Sequence, residues 1–88
     1  MTQSSFDLSD TRRTIREKVI ELAGRRGVDA SNLQDTELIP ESGALDSVGI
    51  LELITWFEMT FDVAIAQTDL TVENFGTIEA MASYLQRR

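Results

Sequence analysis

The 88-residue chain has no cysteine and no histidine, and these two absences exclude more chemistry than any residue present suggests. Without cysteine there is neither a disulfide framework nor a thiolate metal site, so packing alone must hold the fold. With His and Cys both missing, the usual Ser-His and Cys-His pairs that activate a nucleophile cannot be assembled, and the usual zinc donor sets go with them. The five glycines are scattered at Gly24, Gly27, Gly43, Gly49 and Gly76, so there is no glycine-rich phosphate loop. No Asp-x-Asp-x-Asp-Gly run marks a calcium loop either. Carboxylates are plentiful but fall mostly at positions expected to be solvated, where perturbed acid/base behaviour is not expected, so the chain reads as a non-enzyme.

Long apolar runs are also lacking. No segment approaches the roughly 18 apolar residues of a membrane span, and Met1 to Phe6 has no basic region followed by an apolar stretch. The expectation is a soluble, cytoplasmic protein without a membrane partner. Base is missing from most of the chain: every Lys and Arg is Arg12, Arg13, Arg16, Lys18, Arg25, Arg26, Arg87 or Arg88. The acids of the base-free stretch between them, with a net charge of -7 overall, oppose nucleic-acid binding and favour basic protein partners. Composition alone allows solubility as an equally good reason for that charge.

What is present is an ordinary globular composition, 42% hydrophobic and 26% charged, in a length that suits one core. A flexible tail is expected over residues 1–8 and a single domain over residues 9–88. From Ser9 or Asp10 the spacing of Ile15, Val19, Leu22 and Ala23 predicts a helix, ended by Gly27 with Val28 packing back. Residues 28–45 read as a long loop containing Asp29, Ser31, Asn32, Pro40, Ser42 and Gly43, anchored by Leu33, Leu38, Ile39 and Leu45. A second helix starts at Asp46 or Ser47, with Asp46 suited to cap it, and runs to Phe61 or Asp62. Its inward stripe is Ile50, Leu53, Ile54, Phe57 and Phe61. Its outer side carries Val48, Glu52, Thr55, Met59 and Asp62, with Leu51 and Glu58 on the flank and Trp56 at the boundary. A short helical turn over residues 69–75, punctuated by Gly76, precedes a last helix opened by Thr77 with Ile78, Met81, Ala82 and Leu85 inward. The expected fold is all-α: a four-helix bundle of three main helices and one short one, with a long loop between the first and second.

The distinctive feature is Leu45-Asp46-Ser47-Val48, a serine where a long loop enters an amphipathic helix. A hydroxyl there is accessible, and a phosphodiester built on it would face the positive end of the helix. Local physics leaves two readings open, an anchor for a group or a plain helix cap. In the second, the chain is a non-enzymatic acidic interaction module.

These residues resemble the acyl and peptidyl carrier protein family, whose members bear an Asp-Ser-Leu motif at the start of their second helix. Asp46-Ser47-Val48 is followed here by Glu52-Leu53, Phe57-Glu58, Phe61 and Ile65 at the family's spacing. Asn74-Phe75, Thr77-Ile78-Glu79-Ala80 and Tyr84-Leu85 resemble its last helix. Val48 replaces the usual Leu, and Gly49 stands where a polar residue is commoner, a place where it could loosen the region or permit close approach. The resemblance implies covalent 4′-phosphopantetheine on Ser47, donated from coenzyme A by a phosphopantetheinyl transferase and holding cargo as a thioester. It implies a carrier of fatty-acid, polyketide or nonribosomal-peptide type biosynthesis, free-standing and monomeric. Its partners would be an acyl- or aminoacyl-loading ligase and downstream synthase enzymes with basic docking patches. Val48, Leu51, Glu52, Thr55, Glu58, Met59 and Asp62 would form the docking face. Cargo identity stays open.

Overall fold

The computed structural model describes residues 8–87, and in them every regular element is helical. Helix α1 spans Leu8–Arg25, α2 Ile39–Ser42, α3 Ser47–Phe61, α4 Val72–Phe75 and α5 Ile78–Arg87, with a 3-10 turn at Gln67–Asp69. The tail expected over residues 1–8 lies outside the described residues except for Leu8, which opens α1. The three main helices fall where the apolar spacing puts them, and the short helical turn before the last helix is α4. The loop expected over residues 28–45 contains one element that the spacing did not reveal. Pro40 sits in the first turn of α2, where its missing amide costs nothing, and Ile39 is buried beneath it.

α1 ends as its sequence predicts. Gly27 adopts a left-handed φ of 79°, its amide donates to the Gly24 carbonyl at 3.0 Å, and the Val28 amide donates to the Ala23 carbonyl at 2.9 Å. That pair of bonds satisfies carbonyls the helix would leave open, and only glycine takes this φ without a steric penalty. Ile15, Val19, Leu22 and Ala23 are all buried on one face, which packs against both α3 and α5.

The connection from α1 to α3 is held at several points. Leu33, Ile39 and Leu45 are buried as expected, Leu38 is half-buried, and Ala30 and Ala44 join the core. Arg16 of α1 ion-pairs with Asp35 and donates to the Leu33 carbonyl. The carbonyl of Asp35 accepts the Glu79 amide at 3.0 Å, and Thr77 Oγ1 accepts the Ala80 amide at 2.9 Å, so loop and cap together satisfy the first turn of α5.

The core centre is aromatic. Phe57 packs at 5.1 Å from Phe61 and 5.6 Å from Phe75, and Phe75 lies 4.9 Å from Tyr84, which links α3, α4 and α5 ring to ring. Gly76 marks the tightest approach: a Cβ there would stand 2.5 Å from the Val72 carbonyl oxygen, and its own carbonyl accepts the Ile39 amide at 2.8 Å. This glycine is needed for space.

Candidate functional site

Ser47 is the first residue of α3 and is exposed. The cap of that helix is the residue before it: Asp46, in extended conformation, accepts the Gly49 amide on Oδ1 at 2.8 Å. This bond, and secondarily the Arg26 guanidinium, hold the Asp46 carboxyl below its ordinary value of 3.8. Among the described residues the Ser47 hydroxyl has no hydrogen-bond partner. The reading of Ser47 as a helix cap is therefore overturned by geometry, since Asp46 already does that work. An exposed, uncommitted hydroxyl at the positive end of a 15-residue helix fits a covalently attached phosphodiester.

Two clefts meet beside this serine. One, of about 600 Å³, is lined by Pro40, Leu45, Asp46, Ser47, Ile50 and Leu51, and its apolar walls suit a flexible arm. Pro40, in the first turn of α2, lines this cleft together with residues of α3. Gly49 is buried against the same wall, where a Cβ would meet Leu45 Cβ and Cδ2 at 3.1 Å. Of the two roles expected for Gly49, close approach is the one found.

The other cleft is a groove of about 580 Å³ between α1 and α3. It brings together five of the residues expected at a docking face, Val48, Leu51, Glu52, Thr55 and Met59, and adds Trp56 to them. Val48, Leu51 and Met59 are 57%, 64% and 78% exposed, large apolar side chains with nothing packed on them. Glu58 and Asp62 do not line this groove. Glu58 is half-buried and accepts the Ile65 amide on Oε2 at 2.9 Å, so it fastens the exit of α3. Asp62 is exposed in a left-handed cap with φ 55°.

Sequence reasoning missed the other wall. Lys18, Leu22 and Arg25 of α1 line the groove, and Arg26 reaches α3 from the end of α1. Its Nε lies 3.5 Å from Asp46 Oδ1 and its Nη1 3.4 Å from Glu52 Oε1. The bases are segregated to the chain ends in sequence, but the fold lays them along the acidic segment. The helix-end position of Arg26 was the available signal, and it shows only once the pairing of α1 with α3 is known.

Among the described residues no group of three or more His, Cys, Asp or Glu side chains could hold a metal, and no helix is long and apolar enough to cross a membrane. Comparison with known proteins finds that the phosphopantetheine attachment site family matches residues 13–85. The chain is also 35% identical over 66 residues to D-alanyl carrier proteins of Streptococcus pyogenes, among them those of serotype M5 (strain Manfredo), serotype M49 (strain NZ131) and serotype M1. The match covers 74% of this chain and 82% of each of those proteins.

Proposed function

Because the chain belongs to the phosphopantetheine-attachment family of carrier proteins, which are substrate-bearing and non-catalytic, we propose that Ser47 is the residue that carries its covalent 4′-phosphopantetheine. The observation that carries this reading is the division of labour at the start of α3: Asp46 caps the helix and leaves the Ser47 hydroxyl exposed and unpaired. The group supplies the thiol that a cysteine-free chain lacks, and on it cargo travels as a thioester. The residues of the chain do the rest. The first turn of α3 offers the anionic linkage its positive end, and Pro40, Leu45, Ile50 and Leu51 offer the arm an apolar surface.

The cargo is an acyl or aminoacyl group, passed between enzymes of fatty-acid, polyketide or nonribosomal-peptide type biosynthesis. The likeness to proteins named for a D-alanyl group supports the aminoacyl end of that range. The partners are a phosphopantetheinyl transferase, a loading ligase and downstream synthases, which meet the chain at Val48, Leu51, Glu52, Thr55 and Met59. An open apolar groove of this size suits the brief contacts a carrier must make with one enzyme after another.

Incubation with a broad-specificity phosphopantetheinyl transferase and coenzyme A should add one phosphopantetheine by intact mass. Ser47→Ala should add none while leaving the circular dichroism spectrum unchanged. Modification of the alanine variant would refute the assignment.

A further inference from the structure

The cleft beside Ser47 has a smaller neighbour. Pro40 and Ile50 line both, and Ile54, Leu70, Val72 and Phe75 extend the second, an apolar cleft of about 180 Å³ between α3 and α4. That is close to the roughly 150 Å³ of an apolar cavity that holds one benzene, so it has room for a group of about six carbons. Phe75 forms its inner wall and is 6% exposed. Behind it the rings close on one another: Phe75 lies 5.6 Å from Phe57 and 4.9 Å from Tyr84, and Phe57 lies 5.1 Å from Phe61.

We propose that the cargo is a short acyl or aminoacyl group of up to about six carbons, and that Phe75 is the specificity-determining residue that sets this limit. The inference rests on the carrier reading above and narrows its cargo.

A longer tail must move Phe75, lie in the groove between α1 and α3, or stay in water. Moving Phe75 is opposed twice. The drive to bury hydrocarbon is the removal of apolar area from water, and a tail that turns the ring outward returns to water much of the area it takes away. The backbone that carries the ring is also tied on both sides. The Gly76 carbonyl accepts the Ile39 amide at 2.8 Å, Asn74 Nδ2 donates to the Asp69 carbonyl at 2.9 Å, and Tyr84 Oη donates to Asp69 Oδ2 at 2.8 Å. The groove between α1 and α3 is open, and a tail laid against Val48, Leu51 and Met59 would stay partly in water and occupy the surface partners need. A short cargo meets none of these obstacles.

The full chain and its Phe75→Leu and Phe75→Met variants are loaded by a broad-specificity phosphopantetheinyl transferase from acetyl-, hexanoyl- and palmitoyl-coenzyme A, with intact mass confirming one arm per chain. Thermal midpoints are compared among the loaded forms of each protein, so any stability lost to the substitution cancels. In the native protein the midpoint should rise by about 2–4 °C from acetyl to hexanoyl and by no more than about 1 °C from hexanoyl to palmitoyl, while retention on an apolar column keeps climbing. In Phe75→Leu, palmitoyl should exceed hexanoyl by about 3 °C or more, and the palmitoyl form should be retained less than its native counterpart. Phe75→Met, whose flexible side chain yields to a tail, should shift the same way. Trp56, the only tryptophan and a residue of the docking groove, should emit alike in the hexanoyl and palmitoyl forms of the native protein. No rise from acetyl to hexanoyl, a native palmitoyl midpoint more than about 1 °C above hexanoyl, Trp56 emission that follows tail length, or a length limit unmoved in both variants would overturn the inference. A chain that accepts no arm would sink the carrier reading and this inference with it, whereas one arm per chain with the wrong dependence on length would sink only the role of Phe75.

Discussion

The two sides of α3 are built from similar apolar residues and do opposite work. On the inward side Leu53, Phe57 and Phe61 are 1%, 0% and 7% exposed, and Phe57 joins this side by ring contact to Phe75 of α4 and through it to Tyr84 of α5. On the outward side Val48, next to Ser47, and Leu51 and Met59, further along the helix, stay uncovered along the groove edge. A helix that spent all its apolar surface on the core would have nothing to offer a partner. With the core side and the proposed docking side separated by face, substitutions should change docking without changing folding, and the reverse.

That separation can be broken most severely from inside. Phe57→Ala should cost about 3–5 kcal/mol in urea or thermal unfolding, because it empties the centre of the aromatic cluster. A loss no larger than that of a surface substitution would mean that the inward side is not the stabilising one. Gly76→Ala should cost about 1–3 kcal/mol, since the new methyl meets a backbone carbonyl, not the flexible end of a side chain. The damage should fall on α4 and its link to Ile39, as protection of that amide from hydrogen exchange would report.

A smaller effect is confined to acid. The folded-state value of Asp46 is depressed, so its contribution is fully present above its unfolded value of 3.8 and is lost as pH falls through the lower folded value. Asp46→Asn keeps a capping side chain but cannot titrate. Its thermal midpoint should therefore vary less than that of the native protein below about pH 4, and parallel curves would contradict the assigned cap. The smallest effect on folding is expected on the outward side. Leu51→Ser should change unfolding by about 0.5 kcal/mol or less, while loading by a transferase slows several-fold. Unchanged loading would detach the groove from docking.

The inward side of α3 was legible in the sequence because its period is local: five apolar positions recur at helical spacing, and three of them are buried. The Schellman end at Gly27 and the cap at Asp46 were legible for the same reason, each being decided by residues within one turn. α2 was not, since four residues are too few to show a period and Pro40 and Gly43 read equally well as loop. The second wall of the groove was hidden for a different reason. Arg26 and Glu52 are 26 positions apart, and no local pattern tells which end of α1 meets which face of α3. Charge segregation along the chain suggested an acidic docking face, and the fold sets Arg26 beside two of its acids, Asp46 and Glu52, at the end nearest Ser47.

The central claim is that one uncommitted hydroxyl beside a capping carboxylate bears the arm. Tandem mass spectrometry of the protein isolated from its own cells tests it most directly, because fragment masses locate the phosphodiester and weigh whatever thioester it carries. The account predicts the arm on Ser47 alone. An arm on any other residue, or a protein that never bears one, would contradict it.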